Sequence, residues 1–382
     1  MESSDDKRKN ISTSTSTNTK FYRRAKIVLL GDSITQMANS ASDSGWSSHL
    51  SDVYQRRADV YNRGFSGYNT AWFLRYLDSP EGHYDVFDSL GSNHNHNHKG
   101  GDGGDGGDGG DGGDGDDGGD VVKLVTVFFG ANDASHPTLN ARQHVPLQTY
   151  KSNLLQIHKL CLNNYGNNVK VIFIAPPPIH HGKRLEHQII RYGKEKATGK
   201  LERNMDLVGE YAKAVVEVAE ELNCPCLNLF QSMQDDAVRE QEQEHKTEAS
   251  TETETQPWGK YLSDGLHFSR EGNLYVGQKL METIDANFPE IMVHPDPVNM
   301  LTGGSGSRAG DALGGVSVDG KGKGVGPWHD EIDYRDVEKA FRDHEELQLK
   351  ASASELEAAS EAASEAASVS ESAAPPAKKL KN

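Results

Sequence analysis

The sequence predicts an α/β fold built on a doubly wound parallel sheet. Short runs that are apolar on both faces recur along the chain, as expected for parallel strands covered by helices on each side. Between them lie longer stretches with apolar residues at three- and four-residue spacing, which is typical of amphipathic helices. Because strands that alternate with helices form βαβ units, we expect reactive residues on loops at the carboxyl ends of the strands.

Five apolar runs are predicted to be strands. In chain order they are residues 25–30, 59–62, 121–129, 169–174 and 226–230. The first runs into Gly31, and the second, which is weaker, precedes Gly64. The third has the strongest strand signal, and the fourth is stopped by Pro176-Pro177-Pro178. Helical spacing predicts helices over residues 46–57, 149–163, 201–222 and 270–284.

The acidity of the chain is concentrated in a few segments. The formal net charge of −17 over 382 residues and the mean hydropathy of −0.69 are, as averages, typical of a disordered acidic chain. Residues 92–120 hold eight Asp and one Lys, and residues 234–255 hold eight acidic and two basic residues. Residues 302–382 hold 15 acidic and 10 basic residues, and residues 1–20 have an excess of one positive charge. The remaining core is therefore neutral, and nucleic acid is not an expected partner.

These composition shifts divide the chain into one folded domain with flanking segments. The predicted parts are a disordered tail 1–20, a domain 21–300, a Gly-rich linker 301–326, a helical element 327–350 and a disordered Ala/Ser/Glu tail 351–382. Two low-complexity insertions lie in the domain. The insertion 92–120 repeats Gly-Gly-Asp and is interpreted as a solvated spacer, and the insertion 234–255 as an acidic loop.

No metal site is expected from the cysteines and histidines. The three cysteines are too few for a disulfide framework and lack the spacing of a zinc site. His94, His96 and His98 lie in a chain segment too flexible to fix ligand geometry, so we predict no metal site there. No apolar run reaches the ~18 residues of a membrane helix, and residues 1–20 are polar. We therefore expect a cytoplasmic protein without stable membrane insertion.

Ser33 is the candidate nucleophile. It follows the first strand directly in Gly31-Asp32-Ser33, where a serine before a helix is exposed to a substrate. Three residues are a weak signal on their own, and a capping or phosphate-binding serine remains an alternative interpretation.

Asp264 and His267 are the candidate partners of that serine. They lie three residues apart, just before the last predicted helix. The carboxylate of Asp264 can then reach Nδ1 of His267 while Nε2 faces the serine, an arrangement that makes His267 a base.

Gly64 and Asn132 are candidates for stabilising an oxyanion. Gly64 follows the second strand, where the missing Cβ lets a backbone N–H approach a substrate. Asn132 follows the third strand and offers a side-chain amide. A tight turn at Gly64 and an Asx turn at Asn132 are the structural alternatives. Their positions after successive strands favour a functional role.

At these residues the sequence resembles the SGNH hydrolases, also called GDSL-type esterases and lipases. Gly31-Asp32-Ser33, Gly64, Gly130-Ala131-Asn132-Asp133 and Asp264-Gly265-Leu266-His267 are similar to the four blocks of that family, in family order. Ala175-Pro176-Pro177-Pro178 and the segment 327–333 resemble the isoamyl acetate-hydrolysing esterase branch.

The resemblance implies a three-layer α/β/α sandwich with a five-stranded parallel sheet and no cofactor. It implies that Ser33 is the nucleophile, His267 the base and then the acid, and Asp264 the orienting carboxylate. The backbone N–H groups of Ser33 and Gly64 and the side chain of Asn132 would form the oxyanion hole. The expected substrate is a small or medium carboxylic ester, and a homodimer is left open.

Other functions stay open at this point. The same residues serve an SGNH-type deacetylase, thioesterase or acyltransferase, since all of these transfer acyl groups. A scaffold protein with acidic disordered arms is the alternative that is not an enzyme. A dinucleotide binder is disfavoured because the chain lacks a Gly-x-Gly-x-x-Gly turn and a P-loop.

Overall fold

The computed structural model describes residues 24–91, 122–197, 199–247, 255–291, 293–295 and 307–309, together with positions 339, 342, 343 and 346. Its main sheet has five strands: β1 Ala25–Gly31, β2 Ala58–Gly64, β3 Val122–Phe128, β4 Lys170–Ala175 and β5 Cys226–Asn228. Helices lie between and after these strands. They are α1 Ser33–Gln36, α2 Trp46–Val53, α3 Thr70–Leu77, α4 Pro80–Val86, α5 Leu147–Tyr165, α6 His181–Tyr192, α7 Met205–Glu221, α8 Leu229–Thr247 and α9 Arg270–Asn287.

All pairings in the five-stranded sheet are parallel, and the strand order is β2-β1-β3-β4-β5. The predicted α/β/α architecture is therefore confirmed. Gly31 pairs with Gly64 on one side and with Phe128 on the other, so the loops after β1, β2 and β3 leave the sheet at one level. The strand order reverses between β1 and β3, which is where doubly wound sheets form their ligand crevice.

The extent to which each strand is buried explains why its sequence pattern predicts a strand clearly or weakly. Every residue of β3 except Lys123 is buried, because helices cover both faces of the sheet there. The edge strand β2 has only Ala58 fully buried, so its sequence is mixed and its signal weaker. All five predicted strands are present, with ends that differ from the prediction by at most two residues.

The four predicted helices correspond to α2, α5, α7 and α9. The structure adds α1, α3, α4, α6 and α8 to them. Helices α3 and α4 are short, with eight and seven residues, and begin at caps: Asn69 accepts from the N–H of Trp72, and Ser79 accepts from that of Gly82. Two turns of helix give too little periodicity to predict from spacing.

The expectations for β5 and for the acidic loop 234–255 were wrong over part of their length. The strand ends at Asn228, and α8 runs from Leu229 to Thr247. Leu229, Met233 and Ala237, four residues apart, are buried on one face of this helix. Their burial outweighs the local excess of acidic residues, which a helix can direct to solvent. Residues 248–254 lie outside the described residues.

Several other predictions fall outside the described residues. These are the tails 1–20 and 351–382, the insertion 92–120 with its three histidines, and the segment 327–333. In the predicted linker 301–326 the structure describes one strand, β7 Ser307–Ala309, which pairs antiparallel with β6 Val293–Pro295. In the predicted helical element 327–350, the four described positions are helical. Among the described helices, none has the length and apolar character needed to cross a membrane.

Candidate active site

Ser33 lies at the first position of α1, immediately after β1. Asp32 caps this short helix, and its Oδ1 accepts a hydrogen bond of 2.9 Å from the N–H of Ile34. Ser33 is only 6% exposed, and its Oγ lies within hydrogen-bond distance of a neighbouring nitrogen atom. That neighbour is Nε2 of His267, at 2.9 Å.

His267 and Asp264 form a tight loop before α9. Nδ1 of His267 lies 2.9 Å from Oδ2 of Asp264, so the histidine contacts the serine with one nitrogen and the carboxylate with the other. The loop is closed at its base by the N–H of Ser263, which donates to the carbonyl of His267 at 2.8 Å. The structure thus brings Ser33, His267 and Asp264 together in the order that the sequence analysis expected.

Asp264 is held as a carboxylate. Burial alone would raise its pKa, but hydrogen bonds from the ring and backbone of His267 and the charge of Arg184 outweigh this and hold the pKa below its usual range. Its Oδ1 accepts from the N–H groups of Leu266 and His267 at 3.0 and 2.8 Å, and its Oδ2 accepts from Nη1 of Arg184 at 3.2 Å. His187 also lies near, with Nδ1 3.6 Å from Oδ2.

Glycine is required inside this loop. Gly265 has φ = +83°, and a Cβ at this position would lie 2.5 Å from both the backbone nitrogen of Arg184 and the carbonyl oxygen of His180. The carbonyl of Gly265 also accepts from the N–H of His180 at 3.1 Å. The loop that carries Asp264 and His267 is therefore packed directly on the start of α6.

Gly64 packs closely on α1. A Cβ at Gly64 would lie 2.1 Å from the backbone nitrogen of Gln36, so only glycine fits between β2 and the start of the site. Its N–H donates to Oδ1 of Asn62 at 2.9 Å. The N–H that the sequence analysis proposed as an oxyanion donor therefore already has a hydrogen-bond acceptor within the protein.

Asn132 lies beside the Ser33 loop. Its Nδ2 donates to the carbonyl of Tyr68 at 2.8 Å and lies 3.4 Å from Oδ2 of Asp32. Its Oδ1 accepts from Nη2 of Arg203 at 2.9 Å. The Nδ2 atom of Asn132 therefore faces the loop that carries Ser33, and its Oδ1 atom faces away from that loop.

Two further carboxyl groups are buried near these residues. Burial raises the pKa of Asp32 to about 6 and that of Asp133 to about 7, although hydrogen bonds from neighbouring N–H and hydroxyl groups oppose the shift. Oδ1 of Asp133 accepts from the N–H and the hydroxyl of Thr70 at 2.9 and 2.5 Å. Oδ2 of Asp133 is buried and has no hydrogen-bond partner within the part of the chain that the structure describes.

A groove of about 390 Å³ opens beside His267. Three of its lining residues are apolar, namely Ile34, Phe268 and Met37, and the other seven are polar; Met37 is 49% exposed. The groove reaches the imidazole from the side of α1. Its size fits a small or medium organic group.

Sequence reasoning missed four side chains that hold the site. Arg184 contacts Asp264, and Arg203 and Gln143 contact Asn132, while Glu202 joins the two arginines. Arg184 lies within α6, 80 residues from Asp264 in sequence, and Arg203 lies just before α7, 71 residues from Asn132. No spacing or motif marks them. In the described residues, no three His, Cys, Asp or Glu side chains converge in a way that would hold a metal ion.

The chain is similar to known esterases over most of this domain. A family model described as GDSL-like Lipase/Acylhydrolase matches residues 27–280. A GDSL esterase/lipase of Arabidopsis thaliana is 36% identical over 275 residues, which is 72% of this chain and 89% of the relative. An isoamyl acetate-hydrolyzing esterase 1 homolog of Homo sapiens is 32% identical over 260 residues, 68% of this chain and 81% of the relative.

Among solved structures, the crystal structure of the lipase/acylhydrolase from Enterococcus faecalis aligns with a TM-score of 0.40. The sequence identity is 22%, and the alignment covers 69% of this chain and 96% of that one.

Proposed function

Because the chain belongs to the GDSL-like lipase/acylhydrolase family, we propose that it is a serine esterase that hydrolyses small or medium carboxylic esters through an acyl-enzyme. The observation that carries the proposal is the contact of His267 with both Ser33 and Asp264, at 2.9 Å on each side. A serine hydroxyl is a weak nucleophile until a base within hydrogen-bond distance takes its proton.

In the proposed acylation step, Oγ of Ser33 attacks the ester carbonyl carbon and its proton passes to Nε2 of His267. The tetrahedral intermediate then collapses, the bond to the alcohol oxygen breaks, and the proton moves from Nε2 to the leaving alcohol. Asp264 holds the imidazole in the tautomer that carries hydrogen on Nδ1 and stabilises the imidazolium that forms. The low pKa of Asp264 supports this role, because the group stays anionic throughout.

In the proposed deacylation step, a water molecule attacks the acyl carbonyl while His267 takes its proton. The carboxylic acid leaves and Oγ of Ser33 recovers its hydrogen from Nε2. Each step thus moves one proton through the same nitrogen, and no cofactor is needed.

The oxyanion would be bound by the N–H groups of Ser33 and Gly64 and by Nδ2 of Asn132. In the free protein the N–H of Gly64 donates to Oδ1 of Asn62 and Nδ2 of Asn132 donates to the carbonyl of Tyr68, so the substrate oxygen must compete with these two acceptors. Such hydrogen bonds commonly tighten only once a substrate or transition state is bound. Removal of one oxyanion donor lowers kcat by about 10²–10³ in enzymes of this kind.

The groove beside His267 is the proposed site for one organic group of the ester. Met37 offers exposed apolar surface there among mostly polar lining residues, and about 390 Å³ suits a short chain. The isoamyl acetate-hydrolyzing esterase 1 homologs supply a second reason to propose acetate-type esters.

Replacement of the candidate nucleophile tests the proposal. We expect Ser33→Ala to lower kcat/KM for p-nitrophenyl acetate by about 10⁴-fold or more, since the acyl-enzyme can no longer form. Loss of one hydroxyl should leave the circular dichroism spectrum unchanged.

The matched control is Ser152→Ala, at an exposed serine on α5 whose hydroxyl donates to the carbonyl of Gln148. Its kcat/KM should stay within about two-fold of the wild-type value. Wild-type rates in Ser33→Ala would overturn the assignment. An acyl panel of acetate, butyrate and octanoate esters and an acetyl thioester then defines the substrate class.

A further inference from the structure

Four charged and largely buried side chains connect the loop of Asp264 and His267 with Asn132. They are Asp264, Arg184, Glu202 and Arg203. Asp264 accepts from Nη1 of Arg184 at 3.2 Å, and Arg184 donates through Nη2 to Oε1 of Glu202 at 2.7 Å. The same Oε1 accepts from Nη1 of Arg203 at 3.0 Å. The arginine side chains are 8% and 5% exposed, and the carboxylates are each 17% exposed. Two positive and two negative groups therefore form a balanced ionic cluster.

Arg203 uses most of its guanidinium hydrogens at the end of this cluster. Besides Glu202, it donates through Nε to the carbonyl of Ala131 at 2.8 Å. Through Nη2 it donates to Oδ1 of Asn132 and to Oε1 of Gln143, both at 2.9 Å. A rigid planar fork with these four acceptors has one orientation in which all are satisfied.

These contacts fix which way the amide of Asn132 points. Two donors face its oxygen, Nη2 of Arg203 at 2.9 Å and Nε2 of Gln143 at 3.2 Å. Two acceptors face its nitrogen, the carbonyl of Tyr68 at 2.8 Å and Oδ2 of Asp32 at 3.4 Å. A rotation of the amide by half a turn would set oxygen against oxygen and nitrogen against guanidinium. The arrangement therefore excludes the flipped amide.

The ionisation of the cluster agrees with this geometry. Burial would raise the pKa of Glu202, but hydrogen bonds and charges from the two arginines lower it to about 2. Gln188 adds a further hydrogen bond, from Nε2 to Oε2 at 2.6 Å. Glu202 is therefore an anion that holds two arginines at fixed positions.

Resting on the proposed esterase mechanism, we propose that Arg203 is a positioning residue that aims the Nδ2 of Asn132 at the oxyanion. Glu202 and Arg184 connect Arg203 to Asp264 through hydrogen bonds. One ionic cluster therefore fixes the positions of both the Asn132 amide and the carboxylate that contacts His267. Because desolvation offsets much of the attraction within buried ion pairs, the cluster contributes fixed geometry more than net stability.

The kinetic signature of this role is a loss in kcat with little change in KM. The amide of Asn132 binds charge that exists only in the transition state, so its misorientation does not weaken ground-state binding. We expect Arg203→Lys to lower kcat for p-nitrophenyl acetate by about 10–100-fold and to change KM by less than about three-fold. Lysine keeps the charge but cannot reach four acceptors from one nitrogen. The control Arg239→Lys, on the exposed face of α8, should stay within about two-fold.

A double-mutant cycle with Asn132→Ala separates positioning from a general structural role. Asn132→Ala alone should lower kcat by about 10²–10³. In that background Arg203→Lys should cost less than about three-fold more, because no amide is left to position. A further loss of ten-fold or more in the double variant would overturn the proposal. Unchanged KM and kcat in folded Arg203→Lys would do so as well.

Gln143→Ala gives a second route should Arg203→Lys fail to fold. It removes the other donor to Oδ1 of Asn132 at a half-buried position, and we expect about a 3–10-fold loss in kcat that also disappears in the Asn132→Ala background. Additive losses would contradict the positioning role.

The same data distinguish the two proposals. Absence of ester hydrolysis by the wild-type protein, or full kcat in Asn132→Ala, would overturn the proposed mechanism itself. Activity that falls in Asn132→Ala but falls again in the double variants would overturn only the role of Arg203.

Discussion

Carboxyl groups around Ser33 are driven in opposite directions by their surroundings. Asp264 accepts hydrogen bonds from His267, Leu266 and Arg184, which keep its pKa below the usual range despite burial. Asp133 is fully buried and accepts from the N–H and hydroxyl of Thr70, but burial outweighs these hydrogen bonds and raises its pKa to about 7. Asp264 is therefore an anion that can stabilise a positive charge on His267, whereas Asp133 is most stable in its neutral form.

Asp133→Asn should change how stability depends on pH. The folded-state pKa of about 7 lies above the ordinary value of 3.8, so the folded protein binds this proton more tightly than the unfolded chain. The contribution of Asp133 to the free energy of unfolding is then at its maximum below about pH 4, and it is lost as the pH rises towards 7. We expect the wild-type free energy of unfolding to fall by about 3 kcal/mol between pH 5 and pH 8 from this group.

Urea unfolding at several pH values measures that fall. The asparagine variant should show a flatter profile, because its neutral amide still accepts from Thr70 and has no proton to lose. Asp32, with its pKa raised to about 6, leaves a smaller slope of the same sign in both proteins. Equal slopes in the wild type and the variant would contradict the account of Asp133.

The residues expected to react could be predicted from the sequence, and those that hold them could not. Ser33 and His267 stand at a strand end and a helix entry, positions at which topology dictates a shared edge of the sheet. Arg184 and Arg203 act through contacts with residues that are 80 and 71 positions away in sequence. Buried arginines have no local signature, because burial is decided by the packing of α6 and α7 on the finished sheet.

At the level of elements, the loop before α9 depends on its fit against the start of α6. Gly265 makes that fit with a positive φ and with no room for a side chain. The strand predictions succeeded where both faces are buried, as in β3. The interpretation of residues 234–255 as an acidic loop failed because the buried stripe of Leu229, Met233 and Ala237 is narrow and the surrounding residues are acidic.

Gly265→Ala should destabilise the protein and displace the loop. The strained φ costs about 1–3 kcal/mol, and the clash with the backbone of α6 adds to it. We expect a lower denaturant midpoint together with a loss of kcat. Chemical unfolding and p-nitrophenyl acetate kinetics measure the two effects.

Gly193→Ala is the matched control. Gly193 has φ = +81° at the end of α6, but nothing lies within 4 Å of the position that its Cβ would take. The Gly193→Ala variant has the backbone strain without the clash. It should therefore lose less stability than Gly265→Ala and retain the wild-type kcat. Equal effects of the two substitutions would contradict the packing argument.

For the whole molecule, the charge of −17 lies mainly in segments outside the sheet and its loops. The acidic segment 92–120 enters between Gly91 and β3. The carbonyl of Leu90 accepts from Nζ of Lys26, and Lys26 pairs with Val122 at the start of β3. Leu90 and Val122, which flank the segment, therefore both lie at the amino end of the strands, opposite the end that carries Ser33.

Excision of residues 93–119 should leave the chemistry intact. Because the flanking residues Leu90 and Val122 both contact Lys26, a Gly/Ser linker of about six residues spans the gap. We expect kcat/KM for p-nitrophenyl acetate within about two-fold of the wild type, as the edge that carries Ser33 is untouched. A loss of ten-fold or more in a folded variant would show that the acidic segment takes part in the reaction or in substrate binding.

Covalent labelling tests the central claim most directly, because a fluorophosphonate reacts only with a serine that is already activated. The account predicts one phosphonylated peptide, the one that contains Ser33, and no labelling of the folded Ser33→Ala variant. Labelling at another serine, or no labelling of the folded wild-type protein, would contradict it.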